Sequence, residues 1–112
     1  MGDNLDSLAS NTLSRSVLSP EQLQKEVSSL GARWSIDGDD LKLELKGAPM
    51  AKCGTAAAHA AVLADEMDHH PTIVLEYAGM TLKIHTHDKK AITILDLVYA
   101  ARLERWLRAA GW

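Results

Sequence analysis

Ala64-Asp65-Glu66-Met67-Asp68-His69-His70-Pro71-Thr72-Ile73 is the stretch where one kind of local structure must give way to another. Upstream, Ala56 to Ala64 consists of alanine, valine and leucine around a single histidine, His59, a composition of high helix propensity. Pro71 cannot continue a helix, and its ring disfavours helical geometry at His70. A helix is therefore expected within Met50 to Asp68, stopping near His69. Downstream, Ile73 to Tyr77 and Met80 to Thr86 are rich in β-forming residues and meet at Ala78-Gly79, which predicts a hairpin. In its second strand Leu82 and Ile84 point one way, while Thr81, Lys83, His85 and His87 point the other.

The flanking sequence repeats this organisation. Trp34 and Ile36, then Leu41, Leu43 and Leu45, alternate with polar residues around the turn Asp37-Gly38-Asp39-Asp40, an earlier hairpin with one apolar face. Lys46-Gly47-Ala48-Pro49 separates it from the central helix. Further upstream, Ser19-Pro20-Glu21-Gln22 is a capping box with proline at the first helical position. Leu18 and Leu23 form a hydrophobic staple around it. Leu23, Val27 and Leu30 continue the helix, and Gly31 ends it. At the other end, Thr93 caps a last helix and Asp96 suits its positive pole. Leu95, Tyr99, Leu103, Trp106 and Ala110 form its apolar stripe. Leu97 and Val98 lie off that stripe and suggest a second buried face, hence a subunit contact. The expected order is α-β-β-α-β-β-α, an α+β fold with a four-stranded antiparallel sheet and three helices on one face. Residues 1–18 read as a polar, mobile tail and 19–112 as the domain.

Composition narrows the functional classes. The chain has 112 residues, enough for one core and no second module. Its net charge of −3 gives no basic footprint for nucleic acid. The longest apolar run, Ala60 to Ala64, is far too short for a membrane span. No secretory signal pattern opens the sequence, so a cytoplasmic location is expected. The single cysteine, Cys53, excludes an internal disulfide and reads as a small buried hydrophobe. Phenylalanine is absent, so the core must rest on aliphatic residues and on alanine faces that let helices approach closely.

Four of the five histidines are His69, His70, His85 and His87. Histidine titrates nearest neutrality, so such a cluster invites proton transfer or metal binding. The second hairpin runs out after Pro71 and returns to His87, which should bring the two histidine pairs together. Plainer readings exist. His69 and His70 can serve a helix C-terminus, Asp96 can merely compensate a dipole, and Lys89-Lys90 can be a solvated loop. His85 and His87 could chelate zinc with His69 or His70, but no carboxylate or cysteine completes a known ligand spacing, so no metal is expected.

Asp65 through His69-His70-Pro71, followed by Thr86-His87-Asp88 and by Asp96, resembles the paired signature of pterin-4a-carbinolamine dehydratases. Tyr77 between the motifs fits as well, and the resemblance covers Trp34 to the C-terminus. It implies a small hydro-lyase without a cofactor that removes water from 4a-hydroxytetrahydropterin and so helps recycle a pterin after aromatic amino-acid hydroxylation. By the family pattern His69, His70 and His87 do the proton work. Asp96 orients the His87 side, and Asp65 or Asp68 holds the pterin or the histidines. Pro71 and Thr86 complete the expected substrate-binding and orienting set. The resemblance also implies a homodimer or tetramer, with the pterin as partner and neither nucleic acid nor membrane.

Three departures keep a second reading open. Ile73 stands where the family often has an aromatic residue, and His85 where it usually has a small or polar one. Lys89-Lys90-Ala91-Ile92 replaces a glycine-bearing loop. The altered loop and the missing aromatic suit a catalytically degenerate relative acting as a RuBisCO assembly factor near carboxysomes, with the RuBisCO large subunit as partner.

Overall fold

A computed structural model describes residues 2–112, with side chains from Leu5 onward. Eight elements follow one another: α1 (Gly2–Ala9), α2 (Pro20–Leu30), β1 (Trp34–Asp37), β2 (Asp40–Lys46), α3 (Met50–Met67), β3 (Thr72–Glu76), β4 (Gly79–Ile84) and α4 (Ile94–Ala109). The strands form one antiparallel sheet in the order β1-β2-β4-β3. Leu41, Leu43 and Leu45 of β2 and Met80, Leu82 and Ile84 of β4 are buried on its helical face. Lys42, Glu44, Thr81 and Lys83 occupy the other face, where Lys83 pairs with Asp37 at 3.0 Å. The expected α+β architecture is thus present, with one helix more than the three predicted.

That extra helix is α1. Gly2–Ala9 lies in the stretch read as a polar tail, whose first residue, Met1, is outside the described residues. Leu5, Leu8 and Ala9 recur three and four positions apart, so one turn of helix aligns them. All three are buried, and α1 packs chiefly along α4. Arg102 Nε donates to the Ala9 carbonyl at 2.9 Å, and Arg105 faces Asp6 at 3.7 Å. This corrects the reading of Leu97 and Val98. Both are fully buried inside a single chain, so the off-stripe face of α4 needs no second subunit to cover it.

The local signals at the other ends hold. Ser19 Oγ accepts from the Gln22 amide, and the Gln22 side chain accepts from the Ser19 amide. Thr93 and Asp96 make the same reciprocal box at α4. At the β3–β4 turn the left-handed residue is Ala78, with φ 58°, and not the glycine beside it. Gly79 serves a different need, because a Cβ there would lie 3.1 Å from the Leu45 carbonyl oxygen of the neighbouring strand. Strand β4 stops at Ile84, two residues short of the expected Thr86. His85 to Lys90 leave the ladder, and Thr86 bridges instead to Ala91.

Candidate active site

The end of α3 decides where the first histidine pair points. Asp68 adopts a left-handed conformation, φ 50° and ψ 46°. Its amide donates to the Asp65 carbonyl, and the His69 amide donates to the Ala64 carbonyl at 3.0 Å. This is the pairing of a Schellman motif, built on aspartate, one of the few side chains that enter the left-handed region readily. The chain therefore reverses at Asp68. His69 turns into the protein and is buried, while His70 stays exposed.

Buried His69 meets Asp96, which comes from the first turn of α4. His69 Nε2 lies 2.5 Å from Asp96 Oδ1. Asp96 is fully buried, and its other oxygen, Oδ2, accepts from the Thr86 hydroxyl at 2.8 Å and from the Thr93 amide at 2.8 Å. Thr86 and Thr93 hydroxyls are themselves 2.7 Å apart. A carboxylate can only accept, so His69 carries its proton on Nε2 and leaves Nδ1 for another partner. Among the described residues no buried side-chain nitrogen or oxygen lacks a hydrogen bond, as a polar cluster of this kind requires.

Three further imidazoles lie on the adjoining segments with less support. His70 Nε2 lies 2.9 Å from Asp65 Oδ1, one turn back on α3, and both side chains are solvent-facing. His87 is exposed on the turn after Thr86. Its ring meets that of His85 at 4.6 Å and 69°, an edge-to-face contact. His85 Nδ1 is in turn 2.8 Å from Asp40 Oδ1 on β2. Asp68 lines a cavity of about 350 Å³ with Leu13, Ser14, Arg15, Met67 and Leu95. The N-terminal segment that walls it is pinned to α4: the Leu95 amide donates to Ser14 O at 2.8 Å and the Ile94 amide to Ser16 O at 3.2 Å. Among the described residues, no three His, Cys, Asp or Glu side chains are arranged to hold a metal ion.

Asp96 was expected to orient the His87 side. Its direct partner is His69, and it reaches His87 only through the neighbouring Thr86. Two participants escaped the sequence reading as site residues. Thr93 showed itself only as a helix cap, and Asp40 only as part of a turn. Neither has a linear signal for a second role, because their partners lie on other elements.

The α+β domain thus joins a helix-terminal His-His-Pro corner to a Thr-His turn through one buried carboxylate. The family profile described as Pterin 4 alpha carbinolamine dehydratase matches residues 16–106, most of the chain. The chain belongs to the pterin-4a-carbinolamine dehydratase family. A Streptomyces avermitilis protein named "Putative pterin-4-alpha-carbinolamine dehydratase" is 30% identical over 88 residues, 78% of this chain and 86% of that one. A Paracidovorax citrulli protein of the same name is 28% identical over 100 residues, 86% of this chain and 85% of that one. The crystal structure of a Brucella melitensis "transcriptional coactivator/pterin dehydratase" shares the fold, with a TM-score of 0.72 at 23% identity. That match covers 80% of this chain and 97% of the other. Segment 1–15, including α1, lies outside the family match.

Proposed function

We propose that the protein dehydrates 4a-hydroxytetrahydropterin to the quinonoid dihydropterin. The observation that carries this reading is the Asp96 carboxylate, which bonds His69 from one motif and Thr86, the neighbour of His87, from the other. The reaction breaks the bond between C4a and its hydroxyl. A proton must reach the departing oxygen, and a proton must leave the ring nitrogen, so water and the quinonoid product together balance the substrate. Imidazoles held near a pterin can exchange both protons close to neutral pH, an effect of about a hundred- to ten-thousand-fold.

His69, His70 and His87 are the groups assigned to this work. Asp96 orients His69, Asp65 orients His70, and Thr86 fixes the backbone leading to His87. Asp68 and Pro71 shape the corner at which His69 turns inward and His70 outward. Fixing the proton on Nε2 of His69 and His70 leaves each Nδ1 as the atom free to face substrate. Because the assigned groups are side chains of this one chain, the reading calls for no cofactor.

The test is turnover of 4a-hydroxytetrahydropterin by the purified protein beside His87→Ala. The variant is expected to lose at least about a hundredfold in rate, the size of a lost proton-transfer group. Equal rates would remove His87 from the mechanism. No turnover by either protein would favour the non-catalytic reading, supported by Ile73 and His85 at positions where the family usually differs. Co-purification with the RuBisCO large subunit then becomes the decisive measurement.

A further inference from the structure

We propose that Asp40 and His85 form a positioning pair that holds the His87 ring in place, an inference that rests on His87 acting in the proposed dehydration. His87 sits on the turn from His87 to Lys90, and its backbone is secured by the Thr86–Ala91 bridge and by the Lys90 amide donating to the His87 carbonyl. Those bonds leave the side-chain torsions free. Among the described residues the His87 side chain makes no hydrogen bond, and it is exposed. What meets its ring is His85, edge-to-face at 4.6 Å.

His85 is able to act as that stop because it is itself anchored. Leu41 of β2 pairs with Ile84 of β4, so the next step along the two antiparallel strands sets Asp40 opposite His85. The Asp40 carboxylate accepts the His85 Nδ1–H at 2.8 Å, with both side chains about 30% exposed. The nearby charges are otherwise engaged: Asp37 takes Lys83 at 3.0 Å and Lys42 at 3.9 Å. Asp40 therefore fixes the tautomer and the swing of His85, and His85 limits the swing of His87. A half-exposed pair of this kind contributes little to folding. Restricting a reacting group does matter, since a displaced group can cost up to about a hundredfold in rate.

The pair is tested on purified protein carrying labelled histidine, with Asp40→Ala, Asp40→Asn and His85→Gln. NMR couplings of His87 report whether its ring occupies one rotamer. Asp40 does not touch His87, so Asp40→Ala should average the His87 rotamers, while Asp40→Asn should keep one because its amide oxygen still accepts the Nδ1–H. That contrast separates the hydrogen bond from the lost charge. His85→Gln should also average them. In the dehydratase assay, Asp40→Ala and His85→Gln should lose about tenfold in kcat with KM within about twofold, and Asp40→Asn should recover most of the loss. Unchanged His87 couplings in Asp40→Ala and His85→Gln would overturn the inference, as would equal kcat in all three variants and wild type. If the wild type does not turn over pterin, the dehydratase reading fails, and the couplings alone decide the positioning role.

Discussion

His59 is the histidine left out of the candidate site, and its surroundings explain why. It sits between α3 and α4 with its ring stacked on Trp106 at 4.3 Å and 9°. Burial against that indole pushes its pKa below the ordinary 6.5, and the Glu66 carboxylate offsets part of the shift. The folded state therefore prefers the neutral ring. As pH falls below 6.5 the unfolded chain takes up a proton more readily, so stability present above that pH is lost on the acid side. Replacing the ring by phenylalanine keeps the stack and removes the titration. Between about pH 7.5 and about pH 5, the thermal midpoint of the wild type should fall further than that of His59→Phe. Parallel pH profiles would show that burial of His59 has no consequence for folding. At this same scale Asp68 shows what a residue name conceals, since an aspartate does here the helix-ending work usually left to glycine.

Among the elements, α4 does most of the organising. Its first turn supplies Asp96, its middle supplies Tyr99, whose hydroxyl donates to the Ala60 carbonyl of α3 at 2.7 Å, and its last turns supply Glu104 and Arg108. Burial keeps the Tyr99 phenol neutral by pushing its pKa upward. Glu104, nearly inaccessible, accepts from Trp34 Nε1 at 2.8 Å and Arg108 Nε at 2.7 Å, and pairs with Arg33 Nε at 3.0 Å. Arg108 also donates to the Leu30 carbonyl, so one carboxylate ties the end of α2 and the start of β1 to α4. Removing one partner of such a group strands the others. Glu104→Ala should lower unfolding free energy by about 3 kcal/mol in urea titrations, and Glu104→Gln, which keeps volume and an acceptor, by less. A loss within about 0.5 kcal/mol for Glu104→Ala would mean that water replaces the carboxylate at little cost. The sequence marked Arg108 as a dipole partner only. Glu104 is its neighbour one turn back on the same helix, but the bond to Leu30 could not be read there, because that carbonyl meets Arg108 only after α2 and α4 have packed.

For the molecule as a whole, α1 changes the balance of the core. It lies outside the family match, yet Leu5 and Leu8 are buried as it packs along α4. Full burial of a leucine is worth about 1.5–3 kcal/mol, from which the ordering of the segment must be subtracted. Deleting residues 1–10 should therefore cost about 2–4 kcal/mol and, by baring an apolar face, should promote concentration-dependent self-association. Urea titration and sedimentation measure the two effects. Unchanged stability would show that the contacts of α1 only balance its ordering cost. The homodimer or tetramer that the resemblance implies is a separate matter, although the off-stripe residues Leu97 and Val98 of α4 are already buried within the chain.

By itself the sequence determined the order of the main elements, because capping boxes, proline, turn residues and apolar alternation act over a few neighbouring residues. Ser19, Pro71 and Thr93 each announced an element end that the structure keeps. The two histidine motifs were legible as well, since they are contiguous. Tertiary structure alone decided which imidazole is buried and which carboxylate holds it. His69 and Asp96 are 27 residues apart, and His85 and Asp40 are 45 apart. Such pairs form when strands register and helices dock, and no local pattern records the partner. The helix α1 belongs with them: eight residues are too few to hold a helix alone, so its formation depends on the α4 surface it covers.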